Sequence, residues 1–480
     1  MSTMHVDVAV IGAGTAGLAA YRAAVAAGKR AVIIEGGPYG TTCARVGCMP
    51  SKLLIAAGDA AHVAHKWGEF GLRLHGGLEV DGRAVMARVR RERDRFVGFV
   101  LKGVDNIPGS DRLRGYARFT GDRTLEVDTG THVHFDRAVI ATGSSPAIPP
   151  LLRGAGERLI VNDDIFDWDT LPASVAVFGP GVIGLELGQA LHRLGVRVHM
   201  FGRDNLVGPF TDPVVRSYAQ RTFASEFPLD ADAHIARIEY TGEAVELDHV
   251  GADGVTRTIT VDYILAATGR TPNVRKLGLE NTGLALDARG VPLFDRYTMQ
   301  CGDSHIFIAG DANNDLPLLH EAADEGRIAG ENAAAYPYVR AGLRRTPLAA
   351  VFSDPQLAVV GARYADLKRD EIVVGEVSFE NQGRSRVMLR NRGLLHVYAD
   401  IDSGAFLGAE MIGPDAEHIG HLLAWAHQCG LSVERMLEMP FYHPVVEEGL
   451  RTALRDAKAK LDQAKIDRAR VDRERERRAA

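Results

Sequence analysis

Sulfur is scarce in this chain: four cysteines are spread over 480 residues. So few cannot build a secreted disulfide framework for a protein of this size, and a reducing cytoplasm is the expected setting. Long apolar runs are also missing. No stretch approaches the ~20 uninterrupted apolar residues that a membrane span needs, and the most apolar early segment is broken by glycines and Arg22. The opening "MSTMHVDVAVIG" has no basic leader and runs straight into strand-like residues, so no signal peptide is expected. Positive charge is not in excess either. With 56 basic and 62 acidic residues the net charge is −6, which argues against nucleic acid as the main partner. No second Cys/His pair at ligand spacing accompanies the one close pair of cysteines, so no metal site is expected.

Glycine is plentiful, and some of it recurs in register. The strand-like "VDVAVIGAG" leads into Gly12, Gly14 and Gly17, then a helix-forming stretch, then a second strand ending at Glu35. In that βαβ context the glycines give a tight turn and let backbone approach a pyrophosphate at a helix N-terminus, while Glu35 can bond ribose hydroxyls. The pattern returns in "SVAVFGPGVIGLE" with Gly179, Gly181 and Gly184. Two copies imply two dinucleotides. Glu35 lies 18 residues after Gly17, and the equivalent position of the second copy is Gly202, followed by Arg203 and Asp204. A carboxylate there suits a free 2′-hydroxyl and an arginine a 2′-phosphate; with Asp204 beside Arg203, NAD and NADP both stay open. Two further near-copies, "IATGSS" (Thr142, Gly143, Ser144) and "AATGRTPN" (Gly269), end apolar strands in parallel places, and Asp311 follows another in "IAGDA".

Two of the four cysteines sit five residues apart in "TTCARVGCMPSK". On an ideal helix such positions are roughly 8–9 Å apart at Cα, whereas a disulfide needs about 7 Å or less. Cys43 and Cys48 can therefore bridge only if the segment is irregular. Gly47 permits that, and Pro50 suits the first turn of a following helix. A staple closing so short a loop contributes little stability, and a thiol beside a helix N-terminus is reactive rather than inert. A redox-active pair is thus favoured over a metal half-site or a staple. Cys301 and Cys429 stand alone.

In chain order, "GAGTAG", "TTCARVGCMPSK", "IATGSS", "GPGVIGLE", "AATGRTPN", "IAGDA", "AVFSDPQLAVVG" and "FYHPVVEE" resemble the disulfide-reductase flavoproteins, the family of dihydrolipoamide dehydrogenase, glutathione reductase and mercuric reductase. Within it the motifs are most similar to dihydrolipoamide dehydrogenases. The resemblance implies FAD on Gly12, Gly14 and Gly17, with Glu35 at the adenosine ribose and Gly115 on the adenine side. Thr142, Gly143 and Ser144 would follow the pyrophosphate, Asp311 the ribityl chain, and Lys52, Leu318, Leu319 and His320 the flavin. NAD or NADP would bind Gly179, Gly181, Gly184 and Glu186, with Arg203 and Gly269 nearby and Glu186 close to Lys52. Cys43 would exchange with substrate and Cys48 lie against the flavin. His443, with Glu448, would handle protons at the flavin site of a partner subunit, implying a homodimer.

The implied activity is a flavin-dependent dithiol/disulfide oxidoreductase, most similar to dihydrolipoamide dehydrogenase serving a 2-oxo-acid dehydrogenase complex. An NADPH-dependent reductase of glutathione-reductase type is the alternative, and a flavin-loaded redox sensor or assembly subunit a third. Mercuric reductase is disfavoured because no cysteine pair stands near the C-terminus. The fold expected is α/β, with two Rossmann-like dinucleotide-binding domains and an α+β dimerisation domain. The FAD domain is placed at 1–148 and 277–345, the NAD(P) domain at 149–276, the dimerisation domain at 346–455, and a charged helical or disordered tail at 456–480.

Overall fold

The computed structural model describes residues 2–73, 75–251 and 253–479. The chain is α/β and holds a repeated parallel-sheet unit and a separate antiparallel one. In the first unit the parallel neighbours are Arg112–Arg114, Ala31–Glu35, Ser2–Ile11, Thr131–Ile140 and Ile306–Ile308. Their inner residues, such as Val8 to Ile11 and Ala31 to Ile34, form unbroken apolar runs because both faces of the sheet are covered. On one face, helices Thr15–Ala26 and Leu319–Ala335 approach so closely that a side chain at Gly326 or Gly330 would collide with the backbone of Ala16 or Ala20.

The second unit repeats the plan in its parallel sheet, ordered Leu229–Asp230, Arg197–Phe201, Ser174–Phe178, Tyr263–Ala266 and Leu159–Ile160. Chain enters it through Ser144–Pro146 and leaves through Arg270–Pro272. These two segments pair antiparallel, so both crossings run side by side. The strand Ile306–Ile308 then returns to the first sheet beside Thr131–Ile140.

The third unit is a five-stranded antiparallel sheet, Leu348–Val351 to Ile372–Ser378, with helices packed on it. Its last helix runs unbroken from Glu448 to Ala479. The charged tail expected from 456 is therefore not separate at its start. Ala457 and Leu461 are buried in the core of this unit, Glu376 donates its N–H to Asp456, and Lys460 donates to the Val374 carbonyl. The alternating apolar residues continue past the point where charge begins to dominate. No helix among the described residues is long and apolar enough to cross a membrane. Truncation after Asp462 is expected to leave the melting temperature nearly unchanged. Truncation after Arg455, which removes Ala457 and Leu461, should cost roughly 2–5 kcal/mol, read as earlier chemical unfolding of the C-terminal unit.

Candidate functional site

The two glycine turns are built alike. Gly12 and Gly179 have φ of +107° and +102°, a region where only glycine is unstrained. A side chain on Gly17 would strike the Gly12 carbonyl, and one on Gly184 the Gly179 carbonyl. Gly14 and Gly181 instead face open space, with no atom within 4 Å of a Cβ placed there. Each turn thus has two glycines that close the strand–helix corner and one that leaves a bare backbone surface at a helix N-terminus. Glu35 ends its strand and accepts from the N–H groups of Ala13 at 2.8 Å and Gly37 at 2.7 Å. Gly115, with φ +131°, donates its N–H to the Glu35 carbonyl. In the second unit Gly202 is packed, and a Cβ there would lie 2.8 Å from both the Ala231 carbonyl and Pro180. Arg203 beside it is 89% exposed and, among the described residues, pairs with Asp204 at 3.1 Å.

The cysteine segment is bent as its residues require. A short helix, Thr42–Val46, stops at Gly47, and a 19-residue helix, Cys48–Lys66, starts at once. Gly47 lies against its own turn, since a Cβ would approach the Cys43 Cα and the Thr42 carbonyl to 3.2 Å. Asn162 donates to the Val46 carbonyl at 2.9 Å and pins the bend. Cys43 and Cys48 are both half-buried free thiols, and their interaction across the bend splits their acidities. Cys48 falls to about 7, first because of the Cys43 thiol and then, against the effect of burial, because of the Lys52 ammonium. Cys43 is pushed far up by the same interaction and by burial.

Lys52, one turn after Cys48, meets Glu186 on the helix that opens at the second glycine turn. Its Nζ lies 2.7 and 2.9 Å from the two carboxylate oxygens. Glu186 is only 5% exposed and also accepts from the Phe352 N–H at 3.1 Å, while the Phe352 ring lies 4.6 Å beneath Nζ. Opposite, Ser144 donates to Asp311 at 2.7 Å, and Arg270 donates to the Ser144 hydroxyl and carbonyl at 2.7 and 2.6 Å.

These groups surround one cavity of about 490 Å³, within the range of cofactor sites. It brings together Gly14, Cys43, Cys48, Lys52, Gly143, Ser144, Glu186, Asp311, Leu318, Leu319 and His320. Gly12 and Gly17 lie beneath as corner residues. Thr142, at the strand end, has a buried hydroxyl with no partner among the described residues. His443 is apart: its ring is 80% exposed, its Nδ1 donates to Glu448 at 3.0 Å, and it does not line this cavity. Glu448 is held below its usual value: burial opposes this, but the Val445 N–H and His443 outweigh it. Arg203 and Gly269 also lie off the cavity. The sequence reading passed over Ser51, Asn162, Arg270 and Phe352 as site residues. Ser51, Arg270 and Phe352 stood within motifs that could have pointed to them; Asn162 did not. Cys301 is buried and Cys429 exposed, both away from the pair. Among the described residues no cluster of three or more His, Cys, Asp or Glu side chains suits a metal ion.

Residues 6–326 match the family model described as pyridine nucleotide-disulphide oxidoreductase, and 348–454 its dimerisation domain. A dihydrolipoyl dehydrogenase 3 of Pseudomonas aeruginosa is 32% identical over 95% of this chain and 99% of its own length. A dihydrolipoyl dehydrogenase of Haloferax volcanii is 31% identical over 94% and 96%. A mercuric reductase of Acidithiobacillus ferrooxidans is equally similar, 31% over 94% of this chain and 82% of its own, so identity does not support the disfavour set against mercuric reductases. In fold, the chain is similar to the HOCl-induced flavoprotein disulfide reductase RclA of Escherichia coli in its Cu(II) complex, with TM-score 0.80 at 22% identity over 94% and 99% of the two chains. The dimerisation domain supports a homodimer.

The glycine geometry separates fold from binding. Gly14→Ala is expected to fold with an unchanged circular dichroism melt but to retain several-fold less flavin by absorbance. Gly17→Ala should give no folded protein, because its methyl has nowhere to go.

Proposed function

The chain belongs to the pyridine nucleotide-disulphide oxidoreductases, which use FAD and a pyridine nucleotide, and from that membership we propose that it is a dihydrolipoamide dehydrogenase. The residues fit FAD: a bare glycine turn at Gly14, an orphaned Thr142 hydroxyl, and a cavity reaching from that turn to the two thiols. Gly12, Gly14, Gly17, Glu35 and Gly115 would hold its adenosine end, Thr142 to Ser144 the pyrophosphate, and Asp311, Lys52 and Leu318 to His320 the ribityl and ring. Gly179, Gly181, Gly184, Glu186, Arg203 and Gly269 would take the nicotinamide dinucleotide. Bound FAD supplies two-electron acceptance and hydride exchange with nicotinamide.

The protein's own residues do the sulfur and proton work. In the oxidised form Cys43 and Cys48 are joined. A substrate thiolate attacks Cys43 Sγ, the S–S bond breaks, and its electron pair leaves on Cys48. The second substrate sulfur then displaces Cys43, so substrate departs as a disulfide and the pair holds two electrons. Of the two substrate protons, one goes to the Cys43 thiolate and the other to a histidine base. A carboxylate can only accept, so Glu448 fixes the proton of His443 on Nδ1 and leaves Nε2 free to take another. Because His443 is exposed and off its own chain's cavity, it would serve the cavity of a second copy in a homodimer. The observation that carries this reading is the meeting of both thiols with the Lys52–Glu186 pair on one cavity. Lys52 favours the thiolate on Cys48, which leaves Cys43 as the exchanging sulfur.

One feature favours a second reading. Gly202 is too tightly packed to be an acid, and Arg203, whose pair with Asp204 is exposed to water, could turn to meet a 2′-phosphate, as an NADPH-dependent reductase of a glutathione-type disulfide requires. Steady-state rates with NAD and NADP, each with dihydrolipoamide and glutathione disulfide, test both. Dihydrolipoamide oxidation is expected, and its absence with either nucleotide overturns the first reading. His443→Gln should slow dithiol oxidation by about 10²–10⁴-fold while NAD(P)H still reduces the flavin at the parent rate. The thiolate absorbance of the reduced protein should titrate with a midpoint about 7, present above that pH and lost below it.

A further inference from the structure

The helix that begins at Cys48 and the helix that begins after Gly181 lie side by side, and they are joined twice. Near their N-termini Lys52 meets Glu186. Seven residues further along each helix, about 10 Å on, Asp59 Oδ1 accepts from Arg193 Nη1 at 2.8 Å. Between the two joints Gly58 lets the backbones close, since a Cβ there would stand 3.1 Å from the Ala190 carbonyl. The charges are reversed from one joint to the other: the cation is on the cysteine helix at the first and on the nucleotide helix at the second. The segment Phe352–Asp354 reaches over both. Phe352 caps the first joint, and Asp354 accepts from Arg193 Nη2 at the second, through its carboxylate at 3.1 Å and its carbonyl at 3.2 Å.

Arg193 is 2% exposed, and every side of its guanidinium is used. Nε donates to Glu226 at 2.7 Å, and Nη2 reaches the second Glu226 oxygen at 3.3 Å. Gln189, one turn earlier, ties the same Glu226 and the Asp354 backbone together. A guanidinium so buried and so fully bonded holds a defined geometry, because a shift would leave Glu226, 10% exposed, unpaired in a poorly solvated place, although Asp59 itself is 49% exposed. Apolar packing of Leu54, Ile55 and Ala61 against Leu187 and Leu191 already holds the two helices together, and the two polar joints add a directional restraint at each end of that contact.

We propose that Arg193, through Asp59, is a positioning residue that sets the cysteine helix against the nucleotide helix and so keeps the Lys52 ammonium in place beside Cys48. It touches neither thiol, and its influence passes through the helix. The proposal rests on reading Cys48 as the reactive thiolate.

The test uses flavin-loaded full-length protein in a Cys43→Ser background, where the serine hydroxyl keeps a donor beside Cys48. Alkylation by iodoacetamide is followed against pH at the Cys48 peptide by mass spectrometry. Asp59→Asn is the deciding variant. Removing a negative charge three turns along the helix would, if anything, make Cys48 slightly more acidic, but a loosened Lys52 makes it less so. The expected result is an upward shift of the alkylation midpoint by about half a pH unit, roughly a threefold change in ionisation constant, with an unchanged thermal melt. Arg193→Met should shift it the same way and further; if that variant does not fold, Asp59→Asn decides alone. An unmoved or lowered midpoint in Asp59→Asn overturns the positioning role. A parent midpoint at or above the ordinary ~8.5 would instead overturn the reading of Cys48 on which the proposal stands.

Discussion

The ion pair between Lys52 and Glu186 is the constraint around which the site is organised. It joins a helix that starts with a redox-competent thiol to a helix that starts at a bare glycine turn, and so aims two helix N-termini into one cavity. Glu186 is nearly inaccessible to water, and an isolated carboxylate there would be strongly destabilised. Lys52, the Phe352 N–H and Ser51 supply the partners that make its burial tolerable. Because those partners come from separate parts of the chain, the pair forms where the first two units meet, and the third unit completes it through the Phe352 N–H.

The electrostatics of the thiols follow from that assembly. Cys48 sits at the first residue of its helix, with the Lys52 ammonium one turn on and the Cys43 thiol in front. All three favour its thiolate over the opposing effect of burial. Cys43 lies on the other side of the Gly47 bend and is pushed the opposite way. A five-residue spacing that would separate the sulfurs on one continuous helix becomes, through the break, an interaction between two chemically unequal groups. Dithiol exchange needs that inequality, since one sulfur must leave easily and the other must be attacked.

What could be read from the sequence was what local geometry dictates. The glycine turns were legible because Gly17 and Gly184 each collide with a carbonyl five residues back, although Gly12 and Gly179 are also held by the distant Ala141 and Ala267 carbonyls, and the irregularity at Gly47 followed from helix rise alone. Lys52 and Glu186 are 134 residues apart, and nothing in their neighbourhoods marks them as partners. Only the resemblance to a known family joined them. Asp59, Arg193, Glu226 and Asp354 are ordinary charged residues in four separate segments, and only three-dimensional packing gathers them. Charge misled at the tail. Ala453, Leu454, Ala457 and Leu461 form an apolar stripe at helical spacing that crosses into the charged run, and a count of acids and bases hides it. His443 entered as a candidate base only through the family resemblance, because a histidine before a proline reads by itself as a surface turn residue. That resemblance also implied a place at a partner subunit, and the ring's exposure, away from the cavity of its own chain, accords with it.

The most direct test is an anaerobic titration of the purified yellow protein with a dithiol, recorded across the visible spectrum. The account requires that the first two electrons settle on Cys43 and Cys48, raising a long-wavelength band from the Cys48 thiolate against the flavin while the main flavin absorbance largely survives. Bleaching of the flavin from the first equivalent without such a band would contradict it, as would a flavin that never responds to dithiol.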